Sequence, residues 1–117
     1  MTVSMKNVVV FVTDLAKAQR FYGELLGLPV AGQSEMIMEF FPGAPTTFGV
    51  SLALHEDARR LVGRHTGISL RVEGIEQLCE SLRAGGVTFV EPLESSPWGK
   101  MAVIADFDGN QFALVDR

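Results

Sequence analysis

The pattern of apolar and polar positions changes period twice along this chain, in the same way each time. From Asn7 the run NVVVFV is strand-sized and β-branched, and beyond Thr13–Asp14 the apolar positions Leu15, Ala18 and Tyr22 recur at helical spacing. From Gly67 the run GISLRV repeats the move, with Ile75, Leu78 and Leu82 following. Each copy predicts a short strand running into an amphipathic helix. Asp14 suits the N-cap of the first helix and Gly27 its C-terminal stop. Glu73–Gly74 opens the second helix and Gly85–Gly86 ends it.

The two copies align without a gap at an offset of 60, so that Val8, Val10 and Val12 fall on Ile68, Leu70 and Val72, and Val30 falls on Val90. The offset continues further along. LALHED from Leu52 matches FALVDR from Phe112, with Ala53/Ala113 and Leu54/Leu114 identical and Gly49 on Gly109. This predicts two modules, 1–57 and 65–117, each a strand and a helix followed by three strands, within one domain. The link is DARRLVGRH, Asp57 to His65. Each module alone would leave one face of a small sheet uncovered, so the modules pack together or with those of a second chain. A homodimer is the expected assembly.

Composition narrows the class. At 117 residues, 47% hydrophobic and 21% charged, the chain should bury a core. A formal charge of −4, with no basic cluster denser than Arg59, Arg60 and Arg64, speaks against nucleic acid as a partner. Apolar runs such as Val8 to Val12 are far too short to span a membrane. The opening MTVSMKN lacks the pattern of a secretory signal, and the single cysteine, Cys79, suits a reducing compartment. A soluble cytoplasmic domain is expected.

The closing stretch IADFDGNQFALVDR looks at first like a metal loop. A calcium loop counted from Asp106 would need glycine sixth and glutamate twelfth, where the chain has Gln111 and Arg117. A tight hairpin with Gly109 or Asn110 at positive φ is the better reading.

VVVFVTDLAKAQRFYGELLGLPV and WGKMAVIADFDGNQFALVDR resemble the opening and closing segments of the vicinal-oxygen-chelate superfamily, which includes glyoxalase I, extradiol dioxygenases and bleomycin-resistance proteins. Phe107 stands where the family's Asp-Pro-Asp-Gly-Asn turn has proline. The resemblance implies an α+β fold of two βαβββ modules, with curved mixed sheets forming a cup and helices on the outer face. It also implies a divalent metal in that cup, held by His, Gln or Glu from the first and last strands of each module. Mapped by motif, those positions are Asn7, Ala53, Gly67 and Ala113, which again obey the offset of 60. Alanine and glycine offer no ligand atom, and one asparagine carbonyl cannot hold such an ion. Shifting the register to Ser51, Ser69 or Val9 does not help. No metal and no cofactor are expected.

Strand alternation then gives a lining for the cup: Val9, Phe11, Ser51, His55, Ser69, Arg71, Gln111 and Val115. The other parity, including Val8, Val10, Leu52, Leu54, Ile68, Leu70, Phe112 and Leu114, is apolar and should meet the helices. The candidate ligand-binding residues are Phe11, Ser51, His55, Ser69, Arg71, Trp98 and Gln111. Arg71 either pairs with an anionic group or is a solvated strand end. His55 is more often structural than catalytic in such a setting. Trp98, in SSPWGK, either stacks on a flat ligand from a loop or anchors that loop. Ser95 and Ser96 read as loop solvation, and Cys79 as core. Met36, Met38, Phe40, Phe41 and Phe48 read as strand core, an interface or an adaptable wall, with Glu39 exposed among them.

Three functional readings follow. The first is metal-independent binding or sequestration of a small, partly apolar organic molecule in the cup. The alternative is an enzyme of the lyase, isomerase or dioxygenase type, with a displaced metal near His55 and Glu56 or acid–base chemistry from His55 and Arg71. A non-catalytic interaction domain is a third possibility, against which the mixed polarity of the lining speaks.

Overall fold

The computed structural model describes residues 1–117, which divide into two compact units, Met1–Val62 and Gly63–Arg117. The first unit runs β1 (Asn7–Val12), α1 (Leu15–Ala18) continuing as a π-helix over Gln19–Leu25, β2 (Val30–Gln33), β3 (Ile37–Phe40), β4 (Thr47–Leu52) and α2 (Glu56–Arg59). The second runs β5 (His65–Arg71), α3 (Ile75–Ala84), β6 (Thr88–Ser96), β7 (Gly99–Ala105) and β8 (Gln111–Val115). The sheets have equivalent orders, β1-β4-β3-β2 and β5-β8-β7-β6, each with one parallel pair, β1–β4 and β5–β8. The fold is α+β, and each unit carries the expected strand, helix and three strands.

Local chemistry explains the elements. The Asp14 side chain accepts from the Lys17 amide and caps α1. The helix then widens, with Leu26 N–H donating to Phe21 O five residues back, and Gly27 closes it at φ 68°. Phe21 and Tyr22 are both fully buried there. The Phe21 ring meets the Tyr22 ring edge-on at 4.7 Å, and Tyr22 lies 5.6 Å from the Phe48 ring. Met38, Phe40 and Val50 complete this core. In the second unit Ile75, Cys79 and Leu82 bury the inner stripe of α3, and Ala102, Ile104, Phe112 and Leu114 are buried on alternate positions of β7 and β8.

Four expectations are corrected. The offset of 60 holds for the first strand and helix but not for the last strand. Phe11 pairs with Ser51, whereas Arg71, sixty residues after Phe11, pairs with Val115. The last strands are therefore related by an offset of 64. Ala113, opposite Ser69, corresponds to Gly49, opposite Val9, and not to Ala53. The cause is the longer β6 and β7, nine and seven residues against four each in β2 and β3.

Second, β4 ends at Leu52, so its alternation does not extend to Leu54 and His55. Leu54 is half exposed, and His55 stands at the N-cap of α2. Third, the link carries the helical turn α2, where Arg60 pairs with Glu56 at 3.1 Å, and His65 already belongs to β5. Fourth, Ser95 and Ser96 are the last residues of β6 and do not belong to a loop.

The β7–β8 connection is the expected turn, with Gly109 at φ 87°. The Asp106 carboxylate accepts from the backbone amides of Asp108 and Asn110 (2.9 and 2.8 Å) and from Asn110 Nδ2 (2.9 Å). Asn110 Oδ1 in turn accepts from Gly63 N–H at 2.9 Å. The residues that suggested a metal loop satisfy the turn's own donors.

Candidate functional site

The register of the second sheet sets out rungs that cross all four strands. One rung reads Arg71–Val115–Met101–Glu94, and the next Ser69–Ala113–Val103–Glu91. These side chains alternate with the buried Ile104, Phe112 and Leu114 and so share the opposite sheet face, where Val103 is buried and the others are at least partly exposed. Over this face, towards the β6–β7 hairpin, runs an open groove of about 680 Å³. Met101 and Val115 give it apolar walls, Glu91 and Glu94 line it from β6, and Asp116 and Arg117 from beyond β8.

Trp98 lines the hairpin end, in the two-residue turn Pro97–Trp98, and is 82% exposed. The Ser96 hydroxyl fixes this turn, donating to Gly99 O at 2.8 Å and accepting from Trp98 N–H at 3.2 Å. Gly99 takes φ 125°, a conformation that side chains rarely adopt. Next to it, Lys100 N–H donates to Asp116 Oδ1 at 2.8 Å. The Lys100 ammonium pairs with Glu76 in the first turn of α3. That pairing holds the Glu76 carboxyl below the usual carboxylate range and the Lys100 ammonium above the usual lysine range.

The sequence-predicted residues fall into two groups. Trp98 lines the groove itself, while Ser69, Arg71 and Gln111 lie on the same sheet without lining it. Ser69 and Arg71 are exposed and Gln111 is half-buried. Phe11 and Ser51 belong to the first unit, where they pair directly across β1 and β4. The Ser51 hydroxyl donates to Leu52 O at 3.3 Å. His55 is exposed at the start of α2. Sequence reasoning missed Glu91, Glu94 and Met101. The β6–β7 register shifts twice, between Phe89 and Glu91 and between Glu91 and Glu94, so simple alternation along β6 gives the wrong face.

The positions that hold metal in the resembling family do not fit one here. Gly67 sits at φ 75° where the β5–β8 register shifts, a place at which any ligand-bearing side chain would be strained. At Gly49, the structural counterpart of Ala113, a Cβ would meet the Val9 side chain at 3.3 Å and the Ile37 side chain at 3.6 Å. Asn7 remains as a neutral amide. No group of three or more His, Cys, Asp or Glu side chains lies close enough to hold a metal ion.

A family profile described as Glyoxalase/Bleomycin resistance protein/Dioxygenase superfamily matches residues 4–114. Among solved structures, a member of the Glyoxalase/bleomycin resistance protein/dioxygenase superfamily from Sphaerobacter thermophilus is 34% identical, with a TM-score of 0.78 over 97% of each chain. TnmS3, an antibiotic binding protein from Streptomyces sp. CB03234, is 26% identical with a TM-score of 0.78, covering 98% of this chain and 97% of its own. A glyoxalase/bleomycin resistance protein from the same Streptomyces is 27% identical with a TM-score of 0.74, covering 96% and 99%. No curated protein matches significantly. No helix is long and apolar enough to cross a membrane.

Proposed function

This chain belongs to the Glyoxalase/Bleomycin resistance protein/Dioxygenase superfamily, and from that premise we propose that it binds and sequesters a small, partly apolar organic molecule without a metal. The observation that carries the reading is the groove of about 680 Å³ with the exposed Trp98 at its end and Met101 and Val115 along it. A volume of that order suits a drug-sized molecule, and apolar walls with a few polar groups are the usual composition of such a site. An indole at the rim offers a flat ligand a stacking face worth about 1 kcal/mol beyond the area it covers. The name of TnmS3, an antibiotic binding protein, supports sequestration, because the likeness runs over nearly the full length of both chains.

Binding here needs no acid–base pair. The charged and polar side chains orient the ligand and the apolar ones take it out of water. Ser69, Arg71 and Gln111 are proposed as further contacts along the sheet, and Phe11 and Ser51 as a separate ligand-contacting pair in the first unit. A cytoplasmic homodimer is the proposed form, and the net charge of −4 leaves nucleic acid out as a partner.

Trp98 is the single tryptophan, so its fluorescence reports the groove alone. A titration with acridine and naphthalene compounds is expected to give saturable quenching, unchanged by a chelator or by added Zn²⁺. Quenching that needs a divalent ion, or none from any compound, would overturn the reading.

A further inference from the structure

We infer that the open face of the second sheet, from the groove across to Arg71 beyond the groove's own lining, discriminates by charge polarity along the ligand: it takes an elongated apolar molecule with a cationic group toward the β6 edge and an anionic group toward the β5 edge. This rests on the binding reading above and adds the ligand class. The observation is the rung Arg71–Val115–Met101–Glu94, which puts an arginine and a glutamate on the two edge strands with two apolar residues between them. Three inter-strand spacings separate the ends, roughly 14 Å of backbone. Glu91, on the neighbouring rung, adds a second carboxylate at the β6 edge, while its counterpart at the other edge is the neutral Ser69.

The remaining charges do not blur this polarity. Neither Arg71, Glu91 nor Glu94 takes part in any of the four ion pairs of the chain. The Lys100 ammonium is occupied by Glu76, and the Arg83 guanidinium lies over the Phe89 ring at 4.6 Å. Asp116 and Arg117, adjacent at the end of the groove, offset each other in charge. An arginine presents a planar fork that matches a carboxylate, and a pair of carboxylates favours an ammonium. A ligand lying along the rung would cover Met101 and Val115 with its apolar body and place opposite charges at its two ends.

The test is calorimetric titration of the full chain with three probes on one scaffold: 4′-(aminomethyl)biphenyl-4-carboxylate, biphenyl-4-ylmethylamine and biphenyl-4-carboxylate. The zwitterion is expected to bind tightest. Glu94→Gln should weaken both amine-bearing probes by roughly three- to tenfold and leave the simple acid unchanged, and Arg71→Gln should weaken both carboxylate-bearing probes by a similar factor and leave the simple amine unchanged. Both side chains are exposed, so unchanged thermal melting is expected of both variants. Equal affinities for the three probes, or losses that ignore the probe's charge, would overturn the polarity and leave the binding function standing. Absence of binding by all three, with no Trp98 response to any aromatic compound, would overturn both.

Discussion

A Cβ added to Gly99 would lie 2.5 Å from Asp116 Oδ1, the oxygen that accepts the Lys100 amide. No real Cβ sits that close to an oxygen, and the φ of 125° already disfavours a side chain. Gly99→Ala is therefore expected to lose about 2 kcal/mol of stability and to loosen the hairpin that carries Trp98. Urea denaturation of the variant against the parent measures the first effect. A change in Trp98 anisotropy measures the second, and a variant indistinguishable in both would contradict the geometry.

Asn110 joins the β7–β8 turn to the start of the second unit, bonding Asp106 on one side and the Gly63 amide on the other while fully buried. Asn110→Ala should cost about 2 kcal/mol, since these buried polar groups lose a partner. Asn110→Asp keeps the shape but sets a second carboxylate against Asp106. Its loss should be larger at neutral pH and should shrink in acid, where one carboxyl of the pair takes up a proton. Equal losses at both pH values would show that the two groups are not close.

Glu76 and Lys100 give a pH signature of known sign. The Lys100 hydrogen bond and charge hold the Glu76 carboxyl below its ordinary value, so the stabilisation is complete above the usual carboxylate range and fades as pH falls through the lowered value. For Lys100 the shift is upward, so its contribution is complete below the usual lysine value and fades as pH rises through the raised one. Both ends are largely exposed, which keeps the effect small and salt-sensitive. The parent's advantage over Glu76→Gln in thermal melts should therefore disappear in acid and in strong base. An advantage independent of pH would assign the loss to something other than this pair.

Cys79 tests the core of the second unit. It is 1% exposed, and burial pushes its thiol up from the ordinary cysteine value. A thiol-specific disulfide reagent should leave the folded chain unmodified and react with one thiol per chain in denaturant. Fast reaction under native conditions would mean that α3 does not stay docked.

How far the sequence carried these conclusions depends on how local the signal was. Asp14, Gly27 and Gly85–Gly86 act through neighbours within a few residues, and the helix ends they imply are where the structure has them. The strand-helix repeat was legible because Val8 and Ile68 obey one periodicity. The last strands were misaligned by four residues, because Ala53/Ala113 and Leu54/Leu114 are matches of common apolar residues, while β-pairing is set by contacts distant in sequence. His55 was placed on a strand face by extending alternation past the end of β4. Glu91 and Glu94 stayed hidden behind two register shifts in β6 that leave no mark in composition. Trp98 was read as belonging to a loop beside the sheet, and the structure has it exposed in the turn between β6 and β7.

The exposure of Trp98 is the quantity on which the groove most directly depends. At 82% exposed, its indole should emit at the long-wavelength limit of water-exposed tryptophan, and acrylamide should quench it nearly as well as a free indole. Dilution should leave both readings unchanged if the ring is uncovered in every assembly the chain forms. A blue-shifted, protected emission that moves to the exposed limit on dilution would mean that a second copy covers the ring. Aromatic probes would then compete with self-association, and their apparent affinity would fall as protein concentration rises. A blue-shifted emission that does not respond to dilution would place the ring against its own chain, and the groove would lose its stacking face.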